Sequence, residues 1–239
     1  PTLDLPFALC WANENWTRRW DGDESDVLMG QEHSPDDDRA VFEDMARYIR
    51  DPRYLKVGGK PVLVLYRPEI LPDSKATTDR WRDQARATGL GELHLLCTTA
   101  FGFQDHASHG FDGIIDFPPH AIVEGEITRQ VTPLHANFTG KVYDYPVVVQ
   151  SKLDELTAVP DAFVPGVMPG WDNQARKPWA GHAFHNADPE SYLTWLSGAL
   201  KHAEARHPRG QAMVFVNAWN EWGEGAYLEP DRWFGHGYL

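Results

Sequence analysis

Six short apolar runs, too brief for helices and too continuous for half-exposed strands, recur along the chain at residues 7–12, 62–66, 93–99, 113–117, 163–167 and 213–216. Runs of this kind belong to strands buried on both faces, the condition of a parallel sheet. Helical stretches separate them. Ser34-Pro35-Asp36-Asp37-Asp38 carries a helix start, with a cap hydroxyl, proline at the first position and acids in the first turn. The helix it opens runs to Arg50, with Val41, Phe42, Met45, Tyr48 and Ile49 on one side. Cap and dipole complementarity explain this aspartate run better than a metal cluster does. A second helix is expected from Thr77 or Thr78 to Ala87, closed by Gly89, and a third from Asp144-Tyr145-Pro146 to Leu156. A fourth follows Asp188-Pro189-Glu190, with Tyr192, Leu193, Leu196 and Leu200 on its apolar side. Residues 120–142 show no period and read as a long loop, as does the stretch to Asn186 carrying Trp179, His182 and His185.

Strands alternating with helices predict an α/β fold, and 239 residues suit a (β/α)8 TIM-barrel type, typically about 250 residues. Six strands are two short of eight, and the chain opens on Pro1 almost at once with a strand, so the barrel is expected to be truncated at its N-terminus, with its first strands missing. The range 1–239 then reads as a single partial catalytic domain. An open doubly wound sheet is the alternative, but no glycine-rich phosphate loop follows any strand.

The residues just past the strand ends carry the chemistry. After the run at 213–216 come Asn217, Trp219, Asn220, Glu221, Trp222, Glu224 and Tyr227. After the first run come Trp11, Asn13, Glu14, Trp16, Arg18 and Trp20; after the second, Tyr66 and Arg67; after the fifth, Trp171, Asp172 and Asn173. His185 is added from the loop beyond. In parallel α/β folds this carboxyl end is where active sites sit. Glu221 and Glu224, three apart with glycines at 223 and 225, suit one face of a tight turn. Aromatic planes beside carboxylates suit a sugar, which offers C–H faces for stacking and hydroxyls for hydrogen bonds. Asn13 beside Glu14 repeats Asn220 beside Glu221: the amide would hold a sugar hydroxyl while the glutamate handles a proton. Arg18 and Arg19 are placed to pair with the site's carboxylates. The plain alternative is a buried aromatic strand followed by a solvated acidic turn.

The formal charge of −13 argues against a nucleic-acid partner, which calls for clustered Lys and Arg. No run reaches the roughly 18 apolar residues of a membrane span. Cys10 and Cys97 fall inside expected strands and read as small buried hydrophobes, with no spacing suited to zinc; two unpaired cysteines lean toward the cytoplasm. No metal or cofactor is expected, and nothing bears on oligomeric state.

At residues 10–22 (CWANENWTRRWDG), 60–68 (KPVLVLYRP), 165–173 (PGVMPGWDN) and 215–231 (FVNAWNEWGEGAYLEPD) the chain resembles the WbsX-type proteins, grouped with the glycoside hydrolase family 99-like proteins. The resemblance implies a (β/α)8 barrel with further strands before residue 7. In the related endo-mannosidases an Asn-Glu-Trp-x-Glu-Gly segment carries both catalytic carboxylates, and it maps onto Asn220 to Gly225. Glu224 would then be the general acid/base. Glu221 would take the proton of the substrate 2-hydroxyl, whose oxygen forms a 1,2-anhydro sugar that water opens with net retention. Gly223 replaces the histidine usual in the mannosidases, and Ala226-Tyr227 replaces Thr-Gln, so the sugar is not implied. The expectation is a retaining glycoside hydrolase acting on a poly- or oligosaccharide. Glu14 is the alternative carboxylate partner. A glycosyltransferase of surface polysaccharide (O-antigen) synthesis is the second reading, although Asp21-Gly22-Asp23 looks more like turn chemistry than a nucleotide-sugar metal site. A non-catalytic carbohydrate-binding module is the third.

Overall fold

The structure, a computed structural model, describes residues 4–18, 23–208 and 210–239. Its strands are β1 (Leu9–Trp11), β2 (Trp16–Arg18), β3 (Asp23–Met29), β4 (Lys56–Val57), β5 (Lys60–Leu65), β6 (His94–Thr98), β7 (Gly113–Ile115), β8 (Val142–Asp144), β9 (Phe163–Val164), β10 (Gly166–Val167), β11 (Ala183–His185), β12 (Phe215–Val216), β13 (Asn220–Glu221) and β14 (Ala226–Tyr227). Its helices are α1 (Pro35–Ile49), α2 (Ser74–Ala87), α3 (Tyr145–Glu155) and α4 (Pro189–Arg206). The chain separates into two compact units, Pro1–Trp16 with Met29–Ile115, and Thr17–Leu28 with Asp116–Leu239.

In the first unit β1, β5, β6 and β7 lie side by side in that order, all parallel, with Leu9 opposite Leu63, Leu63 opposite Leu95, and Leu96 opposite Gly113. Val62, Leu63, Val64, Leu65, Leu95, Leu96 and Cys97 are all buried, as uninterrupted apolar strands require. Sequence-neighbouring parallel strands need a crossover, and α1 supplies it between β1 and β5, α2 between β5 and β6. The two helices pack on each other through Phe42 and Trp81, both buried. Each such buried aromatic contributes about 1.5–3 kcal/mol.

α1 starts as the sequence indicates: the Ser34 hydroxyl accepts the Asp37 N–H at 3.1 Å, with Pro35 in the first turn. Asp38 turns inward, 2% exposed, where its carboxylate accepts from Thr77 at 2.9 Å and Arg80 Nε at 2.8 Å. α2 begins earlier than expected. Asp73, not Thr77 or Thr78, is the cap, accepting from the Ala76 N–H at 2.9 Å. Thr77 and Thr78 lie inside the helix because their hydroxyls bond the carbonyls of Asp73 and Lys75, which leaves no polar group stranded. Cys97 is buried, but Cys10 is exposed on β1, contrary to the expectation for it; β1 pairs with β5 alone among the strands of its unit.

In the second unit α3 and α4 pack against each other, with Tyr145 and Trp195 buried and their rings 6.0 Å apart. β10 and β12 pair in parallel, Gly166 opposite Phe215 and Val167 opposite Val216. Residues 120–142 are more ordered than a structureless loop: a short helical turn covers Thr128–Gln130, and the stretch ends by entering β8. β8 pairs in parallel with β11, Val142 opposite Ala183 and His185 opposite Asp144, so part of the expected loop to Asn186 is strand. β13 and β14 form an antiparallel hairpin. These short strands escape sequence reading because two or three residues leave no period to count.

Candidate active site

The site in the second unit grows from the end of β12. The Asn217 N–H bonds the Val167 carbonyl at 2.8 Å, and its side-chain amide donates to the Pro118 carbonyl at 2.7 Å, which fixes the strand end. The chain then runs through exposed Trp219 into the hairpin, where Asn220 pairs with Tyr227 and Glu221 with Ala226. Between the two strands Trp222–Glu224 make one helical turn, closed by Gly225 in the left-handed region at φ 64°. The Glu224 carbonyl accepts the Asp172 N–H at 2.7 Å, tying this turn to the loop that leaves β10.

That loop delivers a residue the sequence did not single out. Asn173 donates its N–H to the His182 carbonyl at 3.2 Å, and its side-chain oxygen accepts the His182 N–H at 2.8 Å, pinching the loop shut. Burial, then Lys141 and Lys177, lower the His182 pKa from 6.5, and its neutral Nδ1 accepts the Lys141 N–H at 3.0 Å. Asp172 is equally local, its carboxylate accepting from the Gln174 N–H at 3.0 Å. Inside the pinched loop the Arg176 N–H bonds the Asn173 carbonyl at 3.0 Å. The Arg176 guanidinium then reaches both glutamates, Nη2 to Glu221 Oε1 at 2.7 Å and Nη1 to Glu224 Oε1 at 2.9 Å. Charge-assisted bonds of this type are roughly twice as strong as neutral ones. Arg18 lies 3.6 Å from Asp26, and Arg19 and Trp20 fall outside the described residues. A lone arginine between a strand end and a helix, in WDNQARKPW, was the available signal.

Beside the carboxylates Trp222 lies flat on Tyr227, centroids 3.6 Å apart at 13°, and its Nε1 donates to Glu229 at 2.7 Å. Burial, then Asp231, raise the Tyr227 pKa, so the phenol is a neutral donor to Asp231 at 3.1 Å. A cavity of about 420 Å³ borders this stack, lined by Trp171, Asp172, Trp222, Tyr227, Trp233 and Phe234 among others; Glu221, Glu224 and Arg176 do not line it. Its size falls in the range of small-ligand sites, about 300–1,000 Å³. His185 ends β11, exposed. No group of three or more His, Cys, Asp or Glu among the described residues is placed to hold a metal, and no helix among them is long and apolar enough to cross a membrane.

The first unit holds its own cluster. Arg67 bonds Glu14 at 2.7 Å and Glu69 at 2.6 Å and lies 3.8 Å over the Phe101 ring, whose edge meets Tyr66. Burial opposes the Arg67 charge, but the two glutamates outweigh it and its pKa stands above the ordinary value. Asn13 is not placed as a sugar contact. It is 0% exposed, with its amide donating to the Arg67 carbonyl at 2.8 Å and accepting the Arg67 N–H at 2.9 Å. Asn13→Ala therefore strips the part-buried Arg67 N–H and carbonyl of their side-chain partner and should cost about 1–3 kcal/mol; an unchanged urea midpoint would contradict this. Trp11 is packed against His33 and Trp81, while Trp16 is exposed.

A family model described as Glycosyltransferase WbsX matches residues 1–239. The chain belongs to the WbsX family. The resemblance read from its four sequence blocks is thereby borne out. Two curated relatives from strains of Xanthomonas campestris pv. campestris, each described as uncharacterized protein WxcX, are 42% identical over 238 residues, covering 100% of this chain and 34% of theirs. The chain thus spans about a third of the length of these curated relatives. A solved glycoside hydrolase-like protein matches with a TM-score of 0.56 at 14% identity, covering 84% of this chain and 58% of that one. The family 99 endo-alpha-mannosidase of Bacteroides thetaiotaomicron matches with a TM-score of 0.51 at 18% identity, covering 84% and 54%. These likenesses are of fold: an α/β fold with a parallel sheet.

Proposed function

We propose that this chain is the catalytic domain of a retaining glycoside hydrolase acting on a poly- or oligosaccharide. The observation that carries the reading is the pair Glu221 and Glu224, gathered on one guanidinium beyond the end of β12 and beside the Trp222–Tyr227 stack. One arginine bonded to both carboxylates holds Glu221 and Glu224 close together, as a pair acting on one sugar requires. Both neighbouring folds carry glycoside hydrolase descriptions, and a (β/α)8 barrel is the architecture we propose with them.

The chemistry follows the family resemblance. Glu221 takes the proton of the sugar 2-hydroxyl, the freed oxygen attacks the anomeric carbon, and the glycosidic bond breaks as Glu224 protonates the leaving oxygen. Water then attacks that carbon, Glu224 takes its proton, and Glu221 returns the first proton to the reopened 2-hydroxyl. Trp222, Tyr227 and Trp171 supply stacking planes. The second reading, transfer of a sugar in surface polysaccharide synthesis, is favoured by the description of the family model.

One experiment separates the two. The full-length protein is incubated with a panel of bacterial and plant polysaccharides, and released oligosaccharides are read by mass spectrometry; a parallel arm supplies nucleotide-sugar donors. Oligosaccharide release supports hydrolysis. Transfer from a nucleotide sugar with no release from any glycan overturns it.

A further inference from the structure

Gly223 lies between the two glutamates, and its φ is outside the left-handed region, so the turn itself does not call for glycine. The guanidinium does. A Cβ added at position 223 would sit 2.9 Å from Arg176 Nε, 2.9 Å from Nη2 and 3.2 Å from Cζ. Three atoms of one guanidinium thus face the bare α-carbon, in the space a side chain would fill. Gly225 is different in kind: its φ is 64°, and an added Cβ would strike the Asp172 backbone N at 2.8 Å. A clash with backbone threatens the fold, whereas a clash with the end of a flexible arginine only moves the arginine.

We propose that Gly223 and Arg176 form one device: the missing side chain at 223 seats the guanidinium, and the seated guanidinium positions Glu221 and Glu224. Arg176 is a positioning residue, acting through the carboxylates, and its kinetic role rests on the hydrolase reading. Its support is already in place, since the loop carrying it is pinched between Asn173 and His182 and anchored at Asp172 to the Glu224 carbonyl.

The test is a double-mutant cycle in the full-length protein. R176A should lower kcat about 100-fold with little change in KM, the scale of misplacing a catalytic group by about 1 Å. G223A should do the same, because its methyl displaces the guanidinium. R176A/G223A should be no worse than the poorer single variant, since without the arginine the methyl strikes nothing; contacting residues are expected to be non-additive in this way. A double variant as poor as the product of the singles, or effects confined to KM, overturns the proposal.

A second measurement needs no turnover. Methylguanidinium is titrated into wild type and R176A and followed by protein NMR. It should bind R176A, where the guanidinium's seat against Glu221 and Glu224 stands open, and not wild type, where the seat is taken. Absence of binding to R176A overturns the device even where wild type cleaves glycans. Binding to R176A alone, in a protein that cleaves no glycan, supports the device while the hydrolase reading falls.

Discussion

Glu224→Gln is expected to abolish turnover, by about 10³-fold or more, while glycan binding stays close to wild type. General acid–base groups contribute about 10²–10⁴-fold, and a group that must serve as acid in one step and base in the next is felt in both. Glutamine is the right replacement because it keeps the shape and an oxygen able to accept from Arg176 Nη1, so the site's arrangement survives while the proton does not. Calorimetry on the variant should therefore still detect the glycan that wild type cleaves. An aryl glycoside whose leaving group needs no proton should recover the first step, and that recovery would mark Glu224 as the acid rather than a binding residue. Unchanged turnover sinks the assignment; equal losses in binding and turnover would reassign Glu224 to holding the substrate.

The strand end that carries Glu221 and Glu224 is legible in the sequence for a physical reason. A parallel strand must be apolar on both faces, so the first amides, carboxylates and indoles after Val216 announce the strand's end, and the end of such a strand is where a ligand can be reached. The same contrast placed the starts of α1 and α4, because Ser34 and Asp188 cap them through bonds to residues three positions on. Contacts made across long separations were not legible. Arg176 lies 45 residues from Glu221, in a loop whose pinch depends on Asn173 finding His182. Asn13 shows the opposite failure. Its sequence context repeats that of Asn220, yet burial commits Asn13 to the Arg67 backbone while Asn220 is exposed on the hairpin. Residue type and spacing cannot distinguish an amide that holds a strand end from one that meets a sugar. Only the partner does.

The largest expected loss of stability lies away from the carboxylates, at Lys152 on α3. Its side chain is 11% exposed, and Nζ bonds Asp116 at 3.0 Å and Glu155 at 2.9 Å. The Asp116 carboxylate is 7% exposed, and the space beside the pair holds about 10 Å³, at most a single water. Lys152→Met keeps the length of the side chain but removes the cation that Asp116 and Glu155 share, and losing one member of a buried ion pair costs about 3–5 kcal/mol. For a chain of this size that lowers the melting temperature by on the order of 10 °C. Adding Asp116→Asn removes the negative charge that Lys152 neutralises and should recover much of the loss, since the two residues act as a coupled pair. The pH dependence has a definite sign. Burial opposes the Lys152 charge, but Asp116 and Glu155 outweigh it and raise its pKa above the ordinary lysine value. A group whose folded pKa is raised contributes stability that is fully present below the unfolded value, about 10.4, and is lost as pH rises through the folded one. The gap between wild type and Lys152→Met should therefore be constant from neutral pH to about pH 10 and close only above it. A gap already closing near neutrality, or a single variant as stable as the double, would show that this pair does not hold the second unit together.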